Sequence, residues 1–303
     1  MQALILAGGK GIRLRPLTIH TPKPILPIVN RPFLLYQIDL LKRGGANDIT
    51  LSLSYQPGKI EEIIGNGEEY GVHIRYTTET VPLGTAGAYR NLSDYLQSTS
   101  VVINGDILTS LDLGDVIRFH REKGAMATIV TTPVADPAGL GIVEFESDGR
   151  VRSFREKPHA DAIARNTINA GVYVFEPALL DLIPGDRAYS FEEDLFPALV
   201  EANQRFYAYV WEGYWLDIGI PSRYLQGNLD VLRGHIPAST VRDVSVLTSD
   251  VAERLEFNGD GEPPRIDAIS YIDQSCTIKA GSEITASILA PAMSWKIGTF
   301  AKA

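Results

Sequence analysis

The 303-residue chain has a single cysteine, Cys276, so no disulfide can form within it and the composition points to a reducing compartment. Cys276 reads as a small buried hydrophobe rather than a reactive thiol. Positive charge is scarce: 28 Lys and Arg against 37 Asp and Glu leave a formal net charge of −9. That balance excludes a protein that grips nucleic acid through a basic face, and suits a cationic site for a small anion. No apolar run approaches the roughly 20 residues of a membrane helix, and no charged-then-apolar leader opens the chain. The expectation is a soluble cytoplasmic protein with neither a membrane nor a nucleic-acid partner.

What is present is an alternation of short apolar runs with segments of helical period. Strands are expected at Ala3–Leu6, Ile49–Ser54, Ile74–Thr78 and Val101–Ile103. Helices are expected at Pro32–Arg43, where Leu34, Leu35, Ile38 and Leu41 share one face before Gly44-Gly45, and at Pro57–Ile64 and Thr85–Leu92. Such alternation predicts a mostly parallel sheet with helices on both faces and ligands beyond the carboxyl ends of the strands. The middle of the chain is strand-rich. Ala125–Thr132, Gly141–Glu146, Arg150–Arg155 and Ile168–Phe175 suggest an antiparallel or mixed extension, with a hairpin at Asp148-Gly149. Helices at Phe191–Ala202 and Ser222–Arg233 close a domain of residues 1–233. A polar stretch, 234–264, reads as a linker. In the tail, 265–303, Ile266, Ile272, Ile278 and Ile284 recur every six residues, the mark of a left-handed parallel β-helix. Four hexads are too few to bury their own core, so the tail is expected to pack on the main domain or on another subunit.

The chemistry concentrates where the first strand ends. Leu6 and Ala7 run into Gly8, Gly9 and Gly11, and Arg13 and Lys23 follow, the latter between two prolines. Successive backbone N–H groups in such a turn form an anion nest. The turn is neither a P-loop nor a G-x-G-x-x-G fingerprint, which counts against a nicotinamide-dependent oxidoreductase. The whole string, G-G-x-G-x-R-L-x-P-x-T followed by P-K-P, resembles the signature of the sugar-1-phosphate nucleotidyltransferases. Further landmarks in order extend the resemblance over about residues 1–232: PLGTAGA from Pro82, NGDIL from Asn104, GLGIVE from Gly139, EKP from Glu156, NAGVYVF from Asn169 and WLDIGIPSRY from Trp215.

The resemblance implies an α/β fold, a Rossmann-like, mostly parallel mixed sheet flanked by helices, with a short left-handed β-helix behind it. It implies transfer of a nucleotidyl group from a nucleoside triphosphate to a sugar 1-phosphate, with pyrophosphate leaving, and a homo-oligomer with the tail in its contacts. Arg13, Lys23 and Asp106 are the implied catalytic residues. Asp106 and Asp217 are the implied ligands of Mg2+. Leu6, Ala7, Gly8, Gly9, Gly11, Glu79, Pro82, Gly84 and Thr85 would bind the nucleotide, with Gly84 approaching the base. Gly141, Glu156, Lys157 and Asn169 would bind the sugar phosphate. Glu79 is an acceptor-only carboxylate where uracil- and thymine-using members commonly carry Gln. It matches the two adjacent donors of guanine, so the expectation is GTP and mannose 1-phosphate, the reaction of the mannose-1-phosphate guanylyltransferases. A glucose-1-phosphate thymidylyl- or uridylyltransferase, or a catalytically silent regulatory relative, are the alternatives.

Overall fold

The computed structural model describes residues 1–29, 31–79, 81–158 and 166–236, and four two-residue strands in the tail. The first strand, β1 (Gln2–Leu6), lies between two parallel neighbours, β4 (Asp48–Leu53) and β6 (Ser100–Asn104), and β5 (His73–Thr78) continues the parallel side beyond β4. Beyond β6 the pairing turns antiparallel with β11 (Thr167–Phe175), followed by β8 (Ala127–Pro133). The outer strand β12 (Phe206–Val210) then runs parallel to β8. The expected hairpin, β9 (Ile142–Phe145) and β10 (Val151–Arg155), turns at Gly149, whose φ is +90°, and joins the sheet where Ile142 pairs with Ile168 of β11.

Side-chain alternation along β1 builds two cores. Ala3 and Ile5 point to one face with Ile49, Leu51, Val101 and Ile103, where α1 (Phe33–Arg43), α2 (Pro57–Ile64) and α4 (Leu113–Glu122) cover them. Leu4 and Val102 point to the other, against α3 (Gly84–Arg90), α5 (Phe196–Glu201) and an aromatic cluster of Tyr89, Tyr173, Phe175, Phe191 and Phe196. Helices on both faces are what the alternation of elements requires. A third, smaller core lies beneath the loops at the carboxyl ends. Leu14, Leu26, Ile28, Phe33, Leu108, Ile218 and Tyr224 pack there under α6 (Pro221–Leu232). It gives the cationic loop a floor.

Helix α4 was not expected from the sequence. Asp112 caps it, its carboxylate accepting the N–H groups of Gly114 and Asp115, and Leu113, Val116, Ile117 and His120 form its buried face. The helix expected over 191–202 opens instead as a π-helical turn, Phe191–Leu195, before α5. In the tail, Arg265–Ile266 pairs in parallel with Glu283–Ile284, and Tyr271–Ile272 with Ile288–Leu289. The rest of the expected linker and β-helix, Cys276 included, lies outside the described residues. Among the described residues no helix is long and apolar enough to cross a membrane.

Candidate active site

The glycine turn is pinned at both ends. The Ala7 N–H donates to Ser52 O at 2.9 Å, and the Ser54 hydroxyl donates to Gly8 O. At the far end the buried Thr18 hydroxyl donates to Gly11 O at 2.7 Å. Gly11 has a φ of +61°, and a Cβ there would lie 2.9 Å from the Thr18 methyl and 3.3 Å from the Lys23 stem. Glycine is therefore required by both conformation and space. Gly9 faces open space, so the turn's outer side is free for a ligand.

A 3-10 turn, Ile12–Leu14, buries Leu14 and leaves Arg13 exposed. A second, Lys23–Ile25, follows Pro22 and turns Lys23 inward. The Lys23 ammonium lies 2.9 Å from Asp106 Oδ2, with the lysine side chain only 12% exposed. Asp106 is placed by the turn after β6. The Gly105 N–H donates to Leu6 O at 2.8 Å, and a Cβ at 105 would lie 2.6 Å from that same carbonyl. Buried Gln37 of α1 locks the turn from below, donating to the carbonyls of Asn104 and Ile107 at 2.9 and 3.0 Å. The chain leaves as β7 (Ile107–Thr109), which pairs antiparallel with β13 (Trp215–Asp217), setting Asp217 opposite Ile107. The Ile218 N–H donates to Asp106 O at 2.7 Å. The two carboxylates expected to act together are thus neighbours across a two-stranded ribbon.

Burial pushes the Asp217 carboxyl above its ordinary range, and the Asp106 charge adds to the rise. Arg223 and Lys23 oppose it. Arg223 of α6 donates to Asp217 Oδ1 at 2.7 Å. A Cβ built at Gly219 would lie 3.1 Å from Asp217 Oδ2 and 3.2 Å from Arg13 Nη2, so Arg13 and Asp217 flank the same glycine. A carboxyl raised by burial and by a neighbouring carboxylate is an arrangement that a hard cation relieves. Mg2+ needs only one or two carboxylates when substrate phosphates and water complete its shell. The donor set fits that ion, as a pair of carboxylates rather than a cluster: among the described residues no group of three or more acidic, histidine or cysteine side chains could hold a metal.

The turn after β5 lies one strand beyond Ser52. Glu79 Oε1 accepts from the Ser52 hydroxyl at 2.8 Å and Oε2 from the Leu83 N–H at 3.0 Å, so both oxygens help shape the turn. Pro82 and Gly84 are exposed. Gly84 has a φ of +76°, and a Cβ there would lie 2.5 Å from Tyr189 O. The need for glycine at 84, read from the sequence as close approach to a base, therefore has a cause within the protein. The Thr85 hydroxyl is likewise committed, donating to Glu192 Oε2 and accepting the Phe191 N–H, each at 2.8 Å.

The residues expected to bind the sugar phosphate converge. A Cβ at Gly141 would lie 2.7 Å from Glu156 Oε2 and 3.6 Å from Asn169 Cβ, and the Asn169 N–H donates to Gly141 O at 2.8 Å. Lys157 pairs with Glu156 at 2.9 Å from a backbone with φ +42°, and stays two-thirds exposed. That bond to Glu156 raises the ammonium pKa, and the charges of Glu193 and Glu192 add to it. The pairing of β11 with β8 shifts register between Asn169 and Tyr173. A Cβ at Gly171 would lie 3.0 Å from both Asn104 Nδ2 and Ile107 Cγ1, and Trp215 Nε1 donates to Ala170 O at 2.8 Å. Sequence reasoning missed Thr18, Gln37, Glu192 and Arg223. The Ser-x-x-Glu run 190–193 was a legible capping signal; Thr18 and Arg223 lie within the quoted motifs, close in the chain to their partners Gly11 and Asp217, and the partners of Gln37 come from distant strands.

A family model described as nucleotidyl transferase matches residues 2–234. The mannose-1-phosphate guanylyltransferase of Mycobacterium tuberculosis is 39% identical over 244 residues, covering 80% of this chain and 67% of that one. The UTP–glucose-1-phosphate uridylyltransferase of Synechocystis is 34% identical over 320 residues, 95% of this chain and 82% of that one. Among solved structures, HddC from Yersinia pseudotuberculosis complexed with GMP-PN superposes with a TM-score of 0.64 at 31% identity. That match covers 76% of this chain and 99% of the other.

Proposed function

The chain belongs to the nucleotidyl transferase family, and from that premise we propose that it couples GTP to mannose 1-phosphate, giving GDP-mannose and pyrophosphate. The observation that carries the proposal is the meeting of Asp106, Asp217, Lys23 and Arg13 at the mouth of the glycine turn.

The reaction brings together two anions. A phosphate oxygen of the sugar phosphate forms a bond to the α-phosphorus while the bond from that phosphorus to the bridging oxygen of the β-phosphate breaks. The electron pair leaves on pyrophosphate. Because the nucleophile is already ionised, no general base is needed, and the work falls to positioning and fixed charge. Lys23, held by its neighbouring prolines and the Gly11 wall, offers a point charge where the two phosphates meet. Arg13 is exposed at the turn's edge, suited to a departing pyrophosphate. When bound by Asp106 and Asp217, Mg2+ would supply neutralisation of phosphate charge. Lys157, Glu156 and Asn169 form the sugar-phosphate half, the lysine answering the phosphate and the other two the hydroxyls.

The base preference rests on Glu79. Each carboxylate oxygen accepts one proton from the protein and keeps further acceptor capacity, while offering no donor for the carbonyl of a pyrimidine edge. Two adjacent donors, as on guanine, match it. Kinship with guanylyltransferases in sequence supports this choice. A second reading, uridylyl transfer to glucose 1-phosphate, is favoured by the longer span shared with the Synechocystis enzyme. Crossing GTP, UTP, dTTP and ATP with mannose and glucose 1-phosphates in a pyrophosphate-release assay separates the two. The proposal expects GTP with mannose 1-phosphate to give the highest kcat/KM, and a preference for UTP or dTTP overturns the guanine assignment. Release with none of the pairs overturns the proposal.

A further inference from the structure

Glu192 stands on the π-helical turn between the two halves of the site. Its Oε2 accepts from the Thr85 hydroxyl at 2.8 Å and the Ser190 hydroxyl at 2.9 Å. Its Oε1 accepts from the Tyr173 hydroxyl at 3.4 Å. Tyr173 is completely buried, and its hydroxyl in turn accepts from Asn169 Nδ2 at 2.8 Å. Asn169 Oδ1 meanwhile accepts the Gly171 N–H at 2.9 Å. One hydrogen-bonded set therefore runs from Thr85, on the nucleotide side, through Glu192 and Tyr173 to Asn169, on the sugar side.

The directions of these bonds are forced. Thr85 and Ser190 each own one hydroxyl proton, and their lone pairs accept the N–H groups of Phe191 and of Glu192 and Glu193. Both protons must then go to Glu192. Only a carboxylate can accept two hydroxyls on one oxygen and a third on the other without presenting a proton of its own. With the Tyr173 proton spent on Glu192, its oxygen accepts from Asn169, and Asn104 bonds the same hydroxyl. The Gly171 N–H on Asn169 Oδ1 sets which way the amide faces, and the Tyr173 oxygen holds one Nδ2–H in place, leaving the other for a sugar hydroxyl. The π turn contributes to the aim: the Ser190 N–H is capped by Asp194, four residues on, at 2.7 Å. Wide turns of this kind recur at functional sites.

We propose that Glu192 is a positioning residue that couples the two half-sites, so that filling the nucleotide turn orders the amide that receives the sugar. The proposal rests on the functional reading above for what each half binds. It is tested by calorimetry of mannose 1-phosphate binding with and without a saturating non-hydrolysable GTP analogue, at fixed Mg2+. In the wild type the analogue tightens mannose 1-phosphate by about tenfold, within the usual range of coupling between sites. In Glu192→Gln, and in Tyr173→Phe, which keeps the ring but not the hydroxyl, that factor falls to within about twofold of unity. The analogue alone still binds each variant within about threefold of wild type. A wild-type chain that binds both probes without coupling overturns the proposal, as does an undiminished factor in the variants. A wild-type chain that binds neither probe overturns the functional reading beneath it.

Discussion

Replacing Lys23 by Met keeps most of the side-chain volume and removes only the charge that lies 2.9 Å from Asp106 Oδ2. With an effective dielectric constant of about 20, opposite charges at that separation attract by roughly 6 kcal/mol. Desolvation of the buried lysine offsets most of this, and solvent at the third-exposed Asp106 screens part of the remainder. The net value of a hydrogen bond to a charged group is about 1.5–3 kcal/mol, so unfolding should occur roughly 3–12 °C lower for a domain of this size. The catalytic loss comes from a different source, because in the proposed reaction the ammonium would face both reacting phosphates. Removing one preorganised donor of this kind costs about 10²–10³ in kcat. Lys23→Arg serves as the control: it keeps the charge but not the compact geometry, so it should recover the melting temperature better than the turnover. The assay is pyrophosphate release at saturating substrates beside a thermal melt of each variant. Turnover of Lys23→Met within about threefold of wild type, with the melt lowered as expected, would show Lys23 to be a structural ion pair and refute the reasoning.

Other consequences can be read in the same assays. Arg13→Ala removes an exposed side chain, so stability should change by no more than about 0.5 kcal/mol while kcat/KM for the triphosphate falls by about 10²-fold; a fall in stability without loss of activity contradicts the role. Gly84→Ala forces a left-handed backbone on a residue with a Cβ and drives that atom to 2.5 Å from Tyr189 O. The penalty should be about 2–4 kcal/mol, seen as a lower denaturation midpoint, and an unchanged midpoint removes the argument. His120 is buried between Thr128 and Glu176, and burial lowers its pKa from 6.5, with Glu176 opposing. The unfolded chain therefore binds this proton more readily, so the stability tied to neutral His120 is full above about pH 6.5 and is lost as the pH falls below it. His120→Gln should flatten the drop in melting temperature between about pH 7.5 and 5.5, and parallel curves for the two proteins would contradict this.

Much of the framework is legible in the sequence because local chemistry and global fold agree there. The apolar run Ala3–Leu6 ending in glycines, the Gly-Gly stop after α1 and the Asp148-Gly149 hairpin each mark structure with residues adjacent in the chain. Helix α4 escaped because it sits between two strands in a stretch with little punctuation, although Asp112 and the Leu113, Val116, Ile117, His120 face were signals available to find it. The outer strand β12, Phe-Tyr-Ala-Tyr-Val, escaped because its flanking turn residues, Asn203 and Gly213, do not adjoin it. The site divides the same way. Glycines and cations came from motifs, whereas Glu192 and Gln37 act through partners dozens of residues away, such as Thr85, 107 positions before Glu192. Glu79 shows the limit most clearly. Its residue type speaks for guanine, but only the fold reveals that Ser52 and Leu83 already hold its two oxygens.

The central claim is that Asp106, Asp217 and the neighbouring cations let two phosphates meet and exchange a bond at the α-phosphorus. The most direct measurement follows label from GTP carrying 32P at the α position, incubated with mannose 1-phosphate, Mg2+ and either the wild-type chain or the folded Asp106→Asn and Asp217→Asn variants. The account predicts that the label moves into GDP-mannose with the wild type, and at least about 10²-fold more slowly with each variant. Label that stays in GTP with the wild type, or reaches the product at equal rates in all three proteins, contradicts it.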